Sequence, residues 1–141
     1  MGLMTDFSLN GDYTIRGDAL FSQNRTLRRQ LRRWWTPDPK RWAAWLMLNP
    51  SIAGEHTDDP TLRRVMHFSQ LWQCDGCIVA NLYPFISSDP KRLWKWAAWE
   101  KNGPDYYARD AMMENRTSIE LAARLAAIRV VAFGTAPSDH D

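Results

Sequence analysis

Three short apolar runs, "AAWLMLN" (43–49), "CIVANLYPF" (77–85) and "RVVAFG" (129–134), are separated by stretches with helical spacing, and proline or glycine interrupts each. Apolar runs this short, without polar alternation, suit strands buried on both faces. Strands that alternate with helices are joined by crossovers, which run them parallel and place helices over the sheet. The helix starts are written in the same punctuation. Asp59 can accept hydrogen bonds from free amides while Pro60 takes the first helical position, where a missing N–H costs nothing. Leu62, Val65, Met66, Ser69 and Trp72 then recur on one face, leaving Arg63, Arg64, His67 and Gln70 outward. Asp89-Pro90 repeats the device before "KRLWKWAAW" (91–99). Gly103-Pro104 predicts a further helix through "DYYARDAMMEN" (105–115), and Thr117 with Glu120 reads as a capping box for another over "SIELAARLAAI" (118–128). The expected fold class is α/β, a three-layer sandwich around a short, mostly parallel sheet.

The segment before the first apolar run is less regular. In "TLRRQLRRWW" (26–35), Leu27, Leu31 and Trp34 fit a helix stripe, whereas Leu27, Leu31 and Trp35 roughly fit one strand face. The two prolines of "TPDPK" (36–40) favour a hairpin-like turn after it, and a strand is the reading adopted. Residues 1 to 20 carry three glycines and no sustained period, so they read as a loosely attached arm beside one α/β domain over 21–141. A domain of this size buries roughly 70% of the surface its unfolded chain exposes, which supports a core without covalent staples.

Composition excludes more than it identifies. Only Cys74 and Cys77 are present, so no disulfide framework exists, and no apolar segment reaches the ~18 residues of a membrane span. With no basic leader or apolar signal core at the N-terminus, a soluble cytoplasmic protein is expected. A net charge of +2 is too small to argue for nucleic acid by itself. Its distribution says more: Arg25 to Arg33 holds five arginines in nine residues and no acid. Arginine beside tryptophan is a combination used on phosphates and bases, which makes Arg28, Arg29, Arg32 and Arg33 candidate anionic contacts. The alternative is a solvated face whose arginine stems cover the sheet.

In open parallel sheets ligands bind beyond the carboxyl ends of the strands. Two of the three ends here, "LNPS" and "NLYPF", place an asparagine where the apolar run gives out. An amide both donates and accepts, so Asn49 and Asn81 would be two polar points on one cleft floor. The alternative is that both simply suit turn geometry, as asparagine often does. Other constellations point to packing. Cys74-x-x-Cys77 opens a strand rather than a helix and has no second pair, which reads as a turn with two buried thiols. Glu55, His56, Asp58 and Asp59 form a polar loop more suited to solvent and to capping than to a metal. Trp96 and Trp99 are three apart and can share one packed helix face.

Taken together, "LMLNPSIAGEHTDDPTLRR", "VANLYPFISSDPKRL", "GPDYYARDAMMEN" and "RVVAFGTAP" resemble a bacterial and phage family known as a domain of unknown function, over roughly residues 25 to 137. More distantly, "LNPS", "NLYPF" and "VVAFGTAP" are similar in order and spacing to three strand ends of the uracil-DNA glycosylases, on their mismatch-specific branch. That likeness implies a glycosylase-like fold in which Asn49 positions the attacking water, Asn81 bonds a base edge and Tyr83 or Phe85 stacks on the base, with Ser51 beside them. Such enzymes flip the base into a pocket and need no metal, because hydrogen bonds stabilise the departing group. The implied activity is that of a DNA N-glycosylase-like hydrolase with no cofactor, and the implied partner is DNA or a nucleotide. The sequence departs from that pattern where it stops at "TAPSDHD", before the last strand and the His-Pro motif, so the fold is expected to lack that strand. A non-enzymatic interaction module that kept the fold without the chemistry is the other expectation. An unpaired sheet edge would offer it a protein partner or a homodimer.

Overall fold

The computed structural model describes residues 7–9, 13–102 and 106–133, with side chains described over 14–98 and 110–133. In chain order the elements are β1 (Phe7–Leu9), β2 (Tyr13–Phe21), β3 (Arg28–Trp34), β4 (Trp42–Met47), α1 (Pro60–Leu71), β5 (Gly76–Asn81), α2 (Pro90–Asn102), α3 (Tyr106–Leu125) and β6 (Ile128–Val131). The strands form one mixed sheet in the order β1-β2-β3-β5-β4-β6. β4 pairs in parallel with both β5 and β6, as the strand–helix alternation requires.

Helices cover both faces of this α/β sheet. β5 is buried at every position, which is why its sequence shows no alternation. Ala43 and Trp45 of β4, with Cys77 and Val79 of β5, pack against Leu62, Val65 and Met66 of α1. The intervening residues Ala44 and Ile78 point the other way and meet Ala122 of α3 and Ala126 just beyond it. Full burial of each α1 anchor contributes on the order of 1.5–3 kcal/mol before chain entropy is counted. Two core indoles bond through their polar tips: Trp45 Nε1 donates to Ser69 Oγ at 3.0 Å and Trp35 Nε1 to the Cys74 carbonyl at 2.9 Å.

Four expectations are corrected. Residues 13–20 are not a loose arm, because β2 pairs antiparallel with β3 from Arg16 to Phe21 and Ile15 is wholly buried. The alternation Ile15, Gly17, Ala19 was hidden by the glycine, which sits opposite Arg33. The sheet is not mostly parallel either: β1–β2, β2–β3 and β3–β5 are antiparallel pairs. Nor do β3 and β4 form a hairpin across "TPDPK", since β5 lies between them. Asp75 explains this. Its carboxylate accepts the Lys40 and Arg41 amides, its N–H donates to the Arg41 carbonyl, and its carbonyl accepts from Trp35. The turn before β5 is thereby wedged between the end of β3 and the start of β4.

The fourth correction concerns α3, which runs unbroken through Thr117. The Thr117 hydroxyl bonds back to the Met113 carbonyl at 3.1 Å, and Glu120 pairs with Arg116, so no capping box forms. The proposed helix start at Gly103-Pro104 and the glycine after "RVVAF" lie outside the described residues.

Candidate functional site

The polar loop between β4 and α1 is held from below by the arginine tract. Arg33 lies fully buried across Gly17 and bonds Asp58 through Nε and Nη2, with further bonds to the carbonyls of Gly54 and Thr57. Arg25 grips Glu55 through both carboxylate oxygens at 3.0 Å. Burial pushes the Glu55 carboxyl up, but the hydrogen bond and charge of Arg25 outweigh it and hold the group below its ordinary range. Arginines without neighbouring acids and a loop rich in acids are two halves of one ionic network. Reading each segment alone misses this; their charge complementarity was the available signal.

Arg28 reaches the same loop by a backbone irregularity. Leu20 faces Gln30 while Phe21 faces Arg28, so β3 carries one extra residue at Arg29. Such a bulge re-aims a side chain to the opposite face. Arg28 is thereby buried on the α1 side, where Nη1 donates to the Ala53 carbonyl, while Arg29 turns to Glu114 of α3. Burial pulls the Arg28 guanidinium down to about 10, against the attraction of Asp59. Arg32 is paired with Asp18 and lies over the rings of Trp34 and Trp42. All four arginines read from sequence as anionic contacts therefore have partners within the fold.

Asp59 caps α1 as expected, accepting from the Leu62 amide at 2.7 Å, and its other oxygen accepts from Ser51 Oγ. Asn49 and Asn81 both line one cavity of about 260 Å³ at the carboxyl ends of β4 and β5, bordered by Ser51, Asp59, Arg28 and, after β6, Phe133. The two amides are used differently. Asn49 Nδ2 donates to the carbonyls of Ser87 (2.7 Å), Pro50 (3.2 Å) and Phe85 (3.3 Å), tying the loops after β4 and β5 together. Its carbonyl oxygen is what remains for a ligand or a water. Asn81 is 1% exposed, and its Nδ2 has no partner among the described residues. Its backbone is fixed from the other face by Asn115, which donates to the carbonyls of Asn81 and Leu82 at 2.7 and 3.2 Å.

Five buried side-chain polar atoms lack a partner among the described residues, and two of them, Arg28 Nε and Asn81 Nδ2, belong to residues that line this cavity. An unpartnered buried donor costs about 1–3 kcal/mol, so two at one place single it out. The aromatic side chains expected beside it are elsewhere. Tyr83 meets Trp94 edge to face and Phe85 stacks on Trp96, so both serve the packing of α2 rather than the cavity wall. The described side chains do not include Trp99.

Cys74 and Cys77 are free and buried. Burial pushes both thiols up, Cys77 to about 12. Among the described residues no group of three or more His, Cys, Asp or Glu side chains is placed to hold a metal ion. No helix there is long and apolar enough to cross a membrane.

No curated protein and no solved structure matches the chain. A family described as "Protein of unknown function (DUF1643)" matches residues 28–141, from the first residue of β3 onward, leaving β1 and β2 outside the match. The bulged arginine strand, the capped loop and both asparagine-bearing strand ends all fall inside that span, and the protein belongs to the DUF1643 family.

Proposed function

We propose that this domain binds a nucleobase, free or within a nucleic acid, in the cavity at the carboxyl ends of β4 and β5, in a three-layer, glycosylase-like arrangement. One observation carries the reading: Asn81, a residue lining that cavity, is almost wholly buried and its side-chain N–H groups have no partner among the described residues. Ligand sites at such strand ends, walled by apolar groups and a few convergent polar ones, fit a small planar ligand. The similarity of "LNPS" and "NLYPF" to glycosylase strand ends supports the same choice. Phe133, two residues beyond β6, is the aromatic side chain among the described residues that borders the cavity, and it takes the stacking role that Tyr83 and Phe85 are not positioned to fill.

Base excision is a separate step. Only the Asn49 carbonyl oxygen is left to orient an attacking water, because its amide nitrogen holds two loops together. This commitment of Asn49 to the backbone favours a second reading, a binding module that has the fold without hydrolysis.

The test is binding of single-stranded and mismatched duplex DNA, and of free nucleobases, to the wild type and to Asn81→Leu. Loss of nucleobase affinity in the variant, at unchanged melting temperature, is expected. Equal affinity of both proteins for every ligand, or affinity for none, would contradict the proposal. Release of free base from DNA would decide between the two readings of the step that follows binding.

A further inference from the structure

We infer that Arg28 and Asn81 together read an uncharged, acceptor-bearing edge of the ligand, a ring carbonyl beside a ring nitrogen, rather than a phosphate. The inference rests on the nucleobase reading of the same cavity and deepens it. Arg28 is 3% exposed and bonds through Nη1 to the Ala53 carbonyl; among the described residues it makes no ion pair and its Nε has no partner. A guanidinium only donates, and the unpartnered atom of Asn81 is also a donor. Two unsatisfied donors on residues lining one cavity would be met by a ligand that presents acceptors to both.

Charge separates the candidate ligands. Among the described residues, Arg28 and Asp59 are the ionisable ones in the cavity wall, one of each sign, and attraction to Asp59 partly offsets the burial of Arg28. The Asp59 carboxylate is fixed there by the Leu62 amide and Ser51 Oγ. A phosphate brought against Arg28 would meet that carboxylate, whereas a neutral oxo edge would not. Arginine pairs in this way with the carbonyl and ring nitrogen of a 6-oxopurine. An exocyclic amino group in place of the oxo group turns a donor toward a donor, and a site built from fixed donors rejects it strongly. The bulge at Arg29 makes this geometry available, since an unbroken β3 would point Arg28 away from the cavity.

The experiment compares hypoxanthine with adenine, which differ in an oxo against an amino group, and with inorganic phosphate, using titration calorimetry on the full chain. Hypoxanthine is expected to bind at least about tenfold tighter than adenine, the scale of one good bidentate contact. Arg28→Met is expected to lose most of that preference, and Arg28→Gln, which keeps donors without the charge, to retain part of it. Equal binding of both bases by the wild type would overturn the inference while leaving the nucleobase reading intact. Binding of phosphate with neither base would overturn both. The wild-type comparison decides the matter even if a buried arginine variant fails to fold.

Discussion

Gly17 leaves no room for a side chain, because Arg33 lies across it from the neighbouring strand. A Cβ at position 17 would stand 2.3 Å from Arg33 Nη1 and 2.8 Å from its Cζ. Arg33 cannot yield, being fully buried and bonded to Asp58. Gly17→Ala is therefore expected to lower stability by about 1–3 kcal/mol, as overpacking does, read as a lower denaturation midpoint at unchanged slope. A midpoint equal to the wild type would refute this account of the glycine. The two thiols give a second check. Cys77 titrates near 12 because burial disfavours the thiolate, and the Cys74 thiol is raised for the same cause. Neither should react with a thiol reagent at pH 8 in the native protein, and both should react once it is unfolded. Rapid native labelling at either position would show that the turn before β5 opens.

The loop from Asn49 to Asp59 owes its shape to another element, since Arg25, Arg28 and Arg33 hold its carboxylates and carbonyls from β3 and the turn before it. Asp58→Ala leaves the Arg33 charge buried without its partner. Its expected cost is about 3 kcal/mol, the lower end of what breaking a buried pair brings, because Asp58 keeps some exposure. Amide exchange should rise most within the loop and at the start of α1; a uniform rise would place the damage in global unfolding instead. The Asp75 turn predicts a pH effect. Bonds from the Arg41 and Lys40 amides hold its carboxyl below the ordinary range. A folded pKa below the unfolded one gives stability that is fully present above about pH 4 and lost as pH falls through the folded value. Asp75→Asn should flatten the acid limb of the stability profile below about pH 4, and an unchanged limb would assign that limb to other carboxylates.

Over the whole molecule, periodicity revealed the helices and the parallel core, because α1 and the apolar runs bury their residues by local rules. The Asp59-Pro60 start of α1 was legible for the same reason. The antiparallel half was not, since β2 shows its alternation only once Gly17 is seen opposite Arg33, a contact between segments. The site divides along the same line. Asn49 and Asn81 were readable as strand-end amides on one rim, whereas Arg28 joins them through a bulge that no spacing rule announces. The aromatic roles given to Tyr83 and Phe85 depended on α2, whose tryptophans occupy both rings. What unites the fold and the proposed function is a cavity whose buried amide waits for an acceptor. The most direct test observes that amide itself, by following the Asn81 side-chain NH2 resonances as a free nucleobase is titrated into the labelled protein. The account predicts saturable shifts at Asn81 and at Arg28 Nε–H with little change at Asn49 Nδ2. Shifts confined to residues outside the cavity, with the Asn81 signals unmoved at saturation, would contradict it.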